Sequence, residues 1–109
     1  MDIGTAIKTV RTLRGLKQTD LSILIGISQT SISQIENGYK KPKSSTIRKI
    51  CTALEVPEVV IYVLGMQGED VPESKKAIFE LLWPAMQELI LQLIPAIHNI
   101  RYLDETLTL

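Results

Sequence analysis

Gln18-Thr19-Asp20-Leu21-Ser22-Ile23-Leu24-Ile25-Gly26-Ile27-Ser28-Gln29-Thr30-Ser31-Ile32-Ser33-Gln34-Ile35-Glu36-Asn37-Gly38 decides the fold. Leu21, Leu24 and Ile25 stand at i, i+3 and i+4, the spacing of one apolar helical face, and Gln18 to Asp20 form a polar first turn. This predicts a short helix that stops before Gly26. Gly26 takes the positive φ of a sharp turn without a Cβ penalty, Ile27 turns into the core, and the Ser28 hydroxyl caps a second helix. In that second helix Ile32 and Ile35 face inward, leaving Gln29, Thr30, Ser31, Ser33 and Gln34 on or near the outward faces. Gly38 follows Asn37, where glycine is expected just past a helix end. The outward surface is uncharged and dense in hydrogen-bonding groups. Glutamine pairs with adenine N6 and N7, and serine and threonine hydroxyls donate or accept, so the surface suits a DNA major groove.

Wider marks agree: Ile3-Gly4 with Ile7-Lys8 and Val10-Arg11, Gly15-Leu16-Lys17-Gln18, Gly26-Ile27-Ser28 and Ile35-Glu36-Asn37-Gly38. Over residues 3–65 the chain resembles the Cro and phage-repressor type of helix-turn-helix, the Xre family. The resemblance implies a five-helix, lambda-repressor-like domain. It also implies that Gln18 meets a phosphate from a helix N-terminus, that Gln29, Thr30, Ser31 and Gln34 face base edges, and that Asn37 and the loop after it hold the DNA backbone. Arg11 is expected to pair with Glu36 as a link between helices. The chain departs from the family in its compact loop Tyr39-Lys40-Lys41-Pro42-Lys43.

The net charge of zero conceals an asymmetry. Residues 1–50 carry nine Lys and Arg against three acids, and the remainder carries the reverse. A polyphosphate attracts the first half and repels the second. Lys40, Lys41 and Lys43 directly follow the second helix of the motif, where residues gripping phosphate are expected. The 109 residues, 45% hydrophobic, suffice for one domain and an appendage. The single cysteine, Cys51, excludes an internal disulfide, and no cleavable basic-then-apolar segment opens the chain, so the expected compartment is the cytoplasm.

A first helix is expected from Ile3 to Arg14, with Ile3, Ile7, Val10, Leu13 and Ala6 inward. A fourth should be capped by Ser44 or Ser45, with Ile47, Ile50, Cys51 and Leu54 inward. A fifth should run from Val56-Pro57 to Leu64. Gly65, Gly68, Glu69 and Asp70 mark a linker. The expected units are therefore 1–65, a DNA-binding domain; 66–71, a linker; and 72–109, a helical oligomerisation segment. In residues 73–107, Ile78, Leu82, Ala85, Leu89, Leu93, Ala96, Ile100, Leu103 and Leu107 recur at steps of three or four. That pattern predicts a helix bent at Pro84 and Pro95, or two to three pieces broken near Trp83 and Ile94. Either geometry should hide the stripe. Ile78, Leu82, Leu89, Leu93, Ile97 and Ile100 are the expected dimerisation residues. Packing within one chain is the alternative, and membrane insertion is disfavoured by a carboxylate and two amides near the centre of a short apolar run.

His98 is the sole histidine, with no second ligand at metal spacing, and no glycine-rich phosphate loop follows a strand. Glu69-Asp70 and Asp104-Glu105 read as solubilising pairs, and the aromatic residues are too dispersed to stack single strands. No catalytic residue, metal or cofactor is expected. Together these features anticipate an all-α, sequence-specific reader of double-stranded DNA, a dimeric repressor of transcription. The alternative is an antitoxin-like or adaptor protein whose apolar C-terminal helix binds a protein partner.

Overall fold

Apolar periodicity of about 3.6 residues, broken by glycine turns and by Pro57, yields six α-helices in a computed structural model. It describes the backbone of residues 1–107 and the side chains of residues 1–94. The helices are α1 (Ile3–Leu13), α2 (Gln18–Ile25), α3 (Gln29–Glu36), α4 (Ser44–Leu54), α5 (Glu58–Leu64) and α6 (Lys76–Leu107). Single 3-10 turns at Gly68–Asp70 and Glu73–Lys75 join α5 to α6, and no strand occurs among the described residues. The all-α class expected from the sequence is the observed one.

Each of the first five helices sends its apolar stripe to a common centre. Ile7 and Val10 come from α1, Leu21 from α2, Ile32 and Ile35 from α3, Ile47, Ile50 and Leu54 from α4, and Ile61 and Leu64 from α5. Cys51 is also buried, and burial pushes its thiol up to about 11, with nearby Glu58 adding to the shift. Gly4 lets α1 lie directly on the end of α3, because a Cβ there would run into the backbone carbonyl of Ile35.

Caps and turns follow the chemistry of their residues. Asp2 caps α1 through the Thr5 amide, and the Thr5 hydroxyl and amide hold its carboxyl below the usual range. Gly15, Gly26 and Gly38 take left-handed φ at the three turns that shape the motif. Four local expectations need correction. Neither Ser44 nor Ser45 caps α4, which begins at Ser44 after Lys43 and has no side-chain cap. Leu13 is 46% exposed, because α1 ends there and Arg14 turns away to bond the Leu54 and Glu55 carbonyls. Leu24 is 59% exposed, because Leu21, with Ile25 partly buried beside it, fills the space that eight-residue α2 offers the core. The helix expected to begin at Val56-Pro57 begins at Glu58, with Pro57 as its N-cap.

The linker is tethered. The Asp2 amide donates to the Gly65 carbonyl at 2.7 Å. The Met1 ammonium donates to Gln67, Glu69 and Asp70, which raises the ammonium's pKa and lowers that of Asp70.

The C-terminal segment is one helix, continuous through Pro84 and Pro95. Its inner side, Ile90, Leu91 and Ile94, packs on the core, with Ile94 only 1% exposed, against α1 and α5. Within one chain the stripe faces outward, not into the domain as the single-chain alternative predicts: Ile78, Leu82, Leu89 and Leu93, with Leu81 and Met86, are 45 to 78% exposed. A second apolar arc on the same helix occupies the domain, leaving the first uncovered. The expected dimerisation residues Ile97 and Ile100, and His98, have side chains outside the described residues. By length and composition Glu73–Ile94 also suffices to cross a membrane, a property shared by core helices of soluble proteins. Its inner face, ending at Ile94, is part of the domain core.

The Arg11–Glu36 ion pair joins α1 to the end of α3. Arg11 donates from Nε and Nη2 to Glu36 at 2.7 and 2.9 Å, and from Nη1 to the Leu16 carbonyl at 2.7 Å. Both residues are buried, and the carboxylate raises the pKa of the guanidinium. Glu36→Ala strands a buried cation, for which a loss of about 3–5 kcal/mol in unfolding free energy is expected. Urea denaturation measures it, and a loss below about 1 kcal/mol would place the pair among surface ion pairs.

Candidate nucleic-acid interface

At about 3.6 residues per turn, Ile32, Ile35 and Glu36 fix the inward side of α3, and Thr30, Gln34 and Asn37 fall opposite them. Gln29, Ser31 and Ser33 flank that outward line. Gln29, Thr30 and Gln34 are exposed, whereas Ser31 and Ser33 are half-buried. Their hydroxyls are also engaged locally: Ser28 Oγ accepts from the Ser31 amide at 3.1 Å and donates to Ser31 Oγ at 3.0 Å, and Asn37 Nδ2 donates to Ser33 Oγ at 3.3 Å. Thr30 and Gln34 have no side-chain hydrogen bond among the described residues, so their polar atoms are available to an incoming group.

Gln18 occupies a different place from the other polar residues. Its Nε2 donates to Glu36 Oε1 at 3.0 Å, and its Oε1 accepts from Gln29 Nε2 at 2.7 Å. With its side chain bonded at both ends, what Gln18 offers outward is the free backbone N–H at the first turn of α2. Asp20 completes that turn by accepting from the Lys17 amide at 2.8 Å. Gln29 and Glu36 share a face of α3 at i and i+7, but no pattern in the sequence signals that Gln18, on α2, bridges them.

After α3 the chain reverses at Gly38, and the amides of Tyr39 and Lys40 both donate to the Gln34 carbonyl. This tight end presents Tyr39, Lys40, Lys41 and Lys43 outward, all exposed. None of the three lysines forms an ion pair among the described residues. Three uncompensated ammonium groups beside an uncharged helix face combine a non-specific phosphate grip with a surface able to discriminate base edges.

A further surface lies away from α3. Ile23 is 81% exposed beside Leu24, next to a groove of about 580 Å³ lined by Leu24, Ile25, Arg48, Lys49 and neighbouring α4 residues. Among the described residues no group of three or more His, Cys, Asp or Glu side chains converges as a metal site does.

Gln18→Ala removes both bonds of the bridge. The expected stability loss is about 1–3 kcal/mol, since Glu36 loses a partner in a half-buried place. Gln29, released from its tether, should contribute less to base discrimination, which competition binding with single-base variants of a bound duplex measures.

A sequence profile described as helix-turn-helix matches residues 7–61, half of the chain. The HTH-type transcriptional repressor RghR of Bacillus subtilis is 36% identical over 74 residues, covering 66% of this chain and 54% of that protein. RghRB of the same organism, described as an uncharacterized HTH-type transcriptional regulator, is 40% identical over 55 residues, covering 50% of this chain and 40% of that protein. The ImmF control region 10 kDa protein of Bacillus phage phi105 is 32% identical over 65 residues, covering 60% of this chain and 72% of that protein. The matched stretch thus spans less than two thirds of either Bacillus subtilis relative.

Proposed function

Because the chain belongs to the Xre-type helix-turn-helix family, we propose that it is a non-enzymatic, cytoplasmic regulator of transcription that binds double-stranded DNA sequence-specifically. One observation carries this reading: an exposed, uncharged hydrogen-bonding face on α3 stands beside three lysines that form no ion pair among the described residues. In this reading residues 1–65 read DNA, 66–71 connect, and 72–109 join two copies. Gln29, Thr30, Ser31, Ser33 and Gln34 meet base edges. Gln18, Asn37, Lys40, Lys41 and Lys43 hold phosphates, Gln18 through its backbone amide. Arg11 and Glu36 stay structural.

Repression by occluding a promoter is the proposed mode of action, in keeping with the repressor name of one relative. Two-fold dimers of such readers engage half-sites about 34 Å apart, and the exposed α6 stripe is the surface proposed to couple them. The same uncovered stripe also favours a second reading, in which a different protein occupies α6 and DNA binding is secondary.

Selection of bound duplexes from a randomised pool, by full-length protein at near-physiological salt, tests the reading. Enrichment of an inverted repeat is expected. A folded protein that enriches nothing would favour the partner-binding reading. On the selected site, Gln34→Ala should cost about 1–3 kcal/mol of discrimination at one base pair. Each of Lys40→Gln, Lys41→Gln and Lys43→Gln should instead weaken all sequences alike and lower the salt slope by about 0.9 for each phosphate no longer neutralised. Light scattering checks the coupling surface: Leu82→Asp with Leu89→Asp should give a folded monomer, because both side chains are exposed within a single chain.

A further inference from the structure

The outward stripe of α6 reads the same in both directions. Ile78, Leu82, Ala85, Met86, Leu89 and Leu93 are symmetric about the midpoint between 85 and 86. Reversing one helix against another therefore sets Ile78 against Leu93, Leu82 against Leu89, and Ala85 against Met86, a small residue facing a large one at the crossing. All six positions are exposed. The large side chains among them, with Leu81, offer on the order of 600 Å² per copy, comparable to the share of one partner in a standard interface and larger than a monomer commonly leaves bare.

The two flanks of the stripe differ. At about 100° per residue, one flank carries Phe79, Met86 and Ile90, and leads to the inner face packed on the domain. Phe79 stacks on Trp83 there, ring centroids 5.2 Å apart. The opposite flank carries Leu81, Pro84, Glu88 and Gln92, with Gln92 Nε2 donating to Glu88 Oε1 at 3.0 Å, so Leu81 is an apolar residue set among polar ones. In a parallel two-fold pair, each flank meets the opposite flank of its partner, so the Glu88 carboxylate would lie over Met86 and Ile90, the apolar-flank residues at its own level. In an antiparallel two-fold pair, like meets like. The apolar flanks then close on each other, while Glu88 and Gln92 stay in water, which avoids the cost of desolvating a carboxylate.

We infer that a second copy of this chain covers the stripe with its own α6, antiparallel, centred between residues 85 and 86. This rests on the dimeric reading above and adds its geometry. Because the domain body lies toward the apolar flank, apposing those flanks brings both domains to the same side of the helix pair. A parallel pair sends them to opposite sides. Two readers on one side can engage one face of a duplex together.

Lys75→Cys places a nitroxide label at the exposed residue just before α6 in the full-length protein, and buried Cys51 stays unlabelled. Pulsed dipolar spectroscopy should give about 30 Å between the two labels, from an offset of about 21 positions at about 1.5 Å each. A distance below about 20 Å from a protein that light scattering finds dimeric overturns the antiparallel geometry and leaves the dimeric reading intact. A monomer without dipolar signal overturns the dimeric reading itself. Oxidised Leu82→Cys mixed with Leu89→Cys should form a covalent heterodimer, whereas Leu82→Cys alone should not cross-link. Cross-linking of Leu82→Cys with itself contradicts the register.

Discussion

A single buried ion pair sets the geometry on which the surface proposed to read DNA depends. Arg11 bonds Glu36 twice and the Leu16 carbonyl once, so one guanidinium fixes α1, the turn into α2 and the end of α3. Glu36 passes the constraint on, since Gln18 bonds its carboxylate and also holds Gln29 at the start of α3. Helix α3 is thereby tied at both ends, by Glu36 and by Gln29. A helix of eight residues has little intrinsic stability in water. Its orientation is supplied by these polar ties and by Ile32 and Ile35 beneath it. Outward groups such as Thr30 and Gln34 then need no partner of their own to stay in place.

The last helix answers a different constraint. A helix with two apolar arcs cannot bury both against one small domain. Residues Ile90, Leu91 and Ile94 occupy the core, and the opposite arc from Ile78 to Leu93 is left in solvent. Since the inner arc anchors the helix independently, covering the outer arc requires no refolding of the domain. The surfaces proposed for pairing and for reading are thus separable in structure. They remain linked mechanically through the tether of Met1 and Asp2 to Gly65 and Asp70, which holds the N-terminus of α1 against the segment that leads into α6.

What is legible in the sequence is periodic or local. The five-helix unit, Gly26 and Gly38 at their turns and Ser28 as a cap all follow from spacing and from single residue types. The Arg11–Glu36 pair comes from the family resemblance. The Gln18 bridge is not legible, because it joins three residues that meet only once α2 and α3 pack. Leu24 is misplaced by its spacing from Leu21, which marks a helical face but not how much of that face the neighbours reach. On α6 the strongest period belongs to the uncovered arc. The inner arc of Trp83, Ile90, Leu91 and Ile94 is weaker in pattern because it is interrupted by Gln87, and strength of periodicity alone does not say which arc the domain takes.

Charge separates the two ends of the molecule in the same sense as their proposed roles. The basic excess lies in residues 1–50, and the acids of the second half include the exposed Glu80 and Glu88 of α6. Near a duplex this dipolar distribution turns the lysine loop and α3 toward the phosphates and the acidic side of α6 away from them, before any base is touched. Uniform basicity would bind phosphate more strongly but would draw α6 onto DNA as well, placing its apolar arc against a polyanion. In the proposed reading, acidic residues on α6 lower non-specific affinity and keep the uncovered arc free for a second copy, so that the two surfaces do not compete for the same ligand.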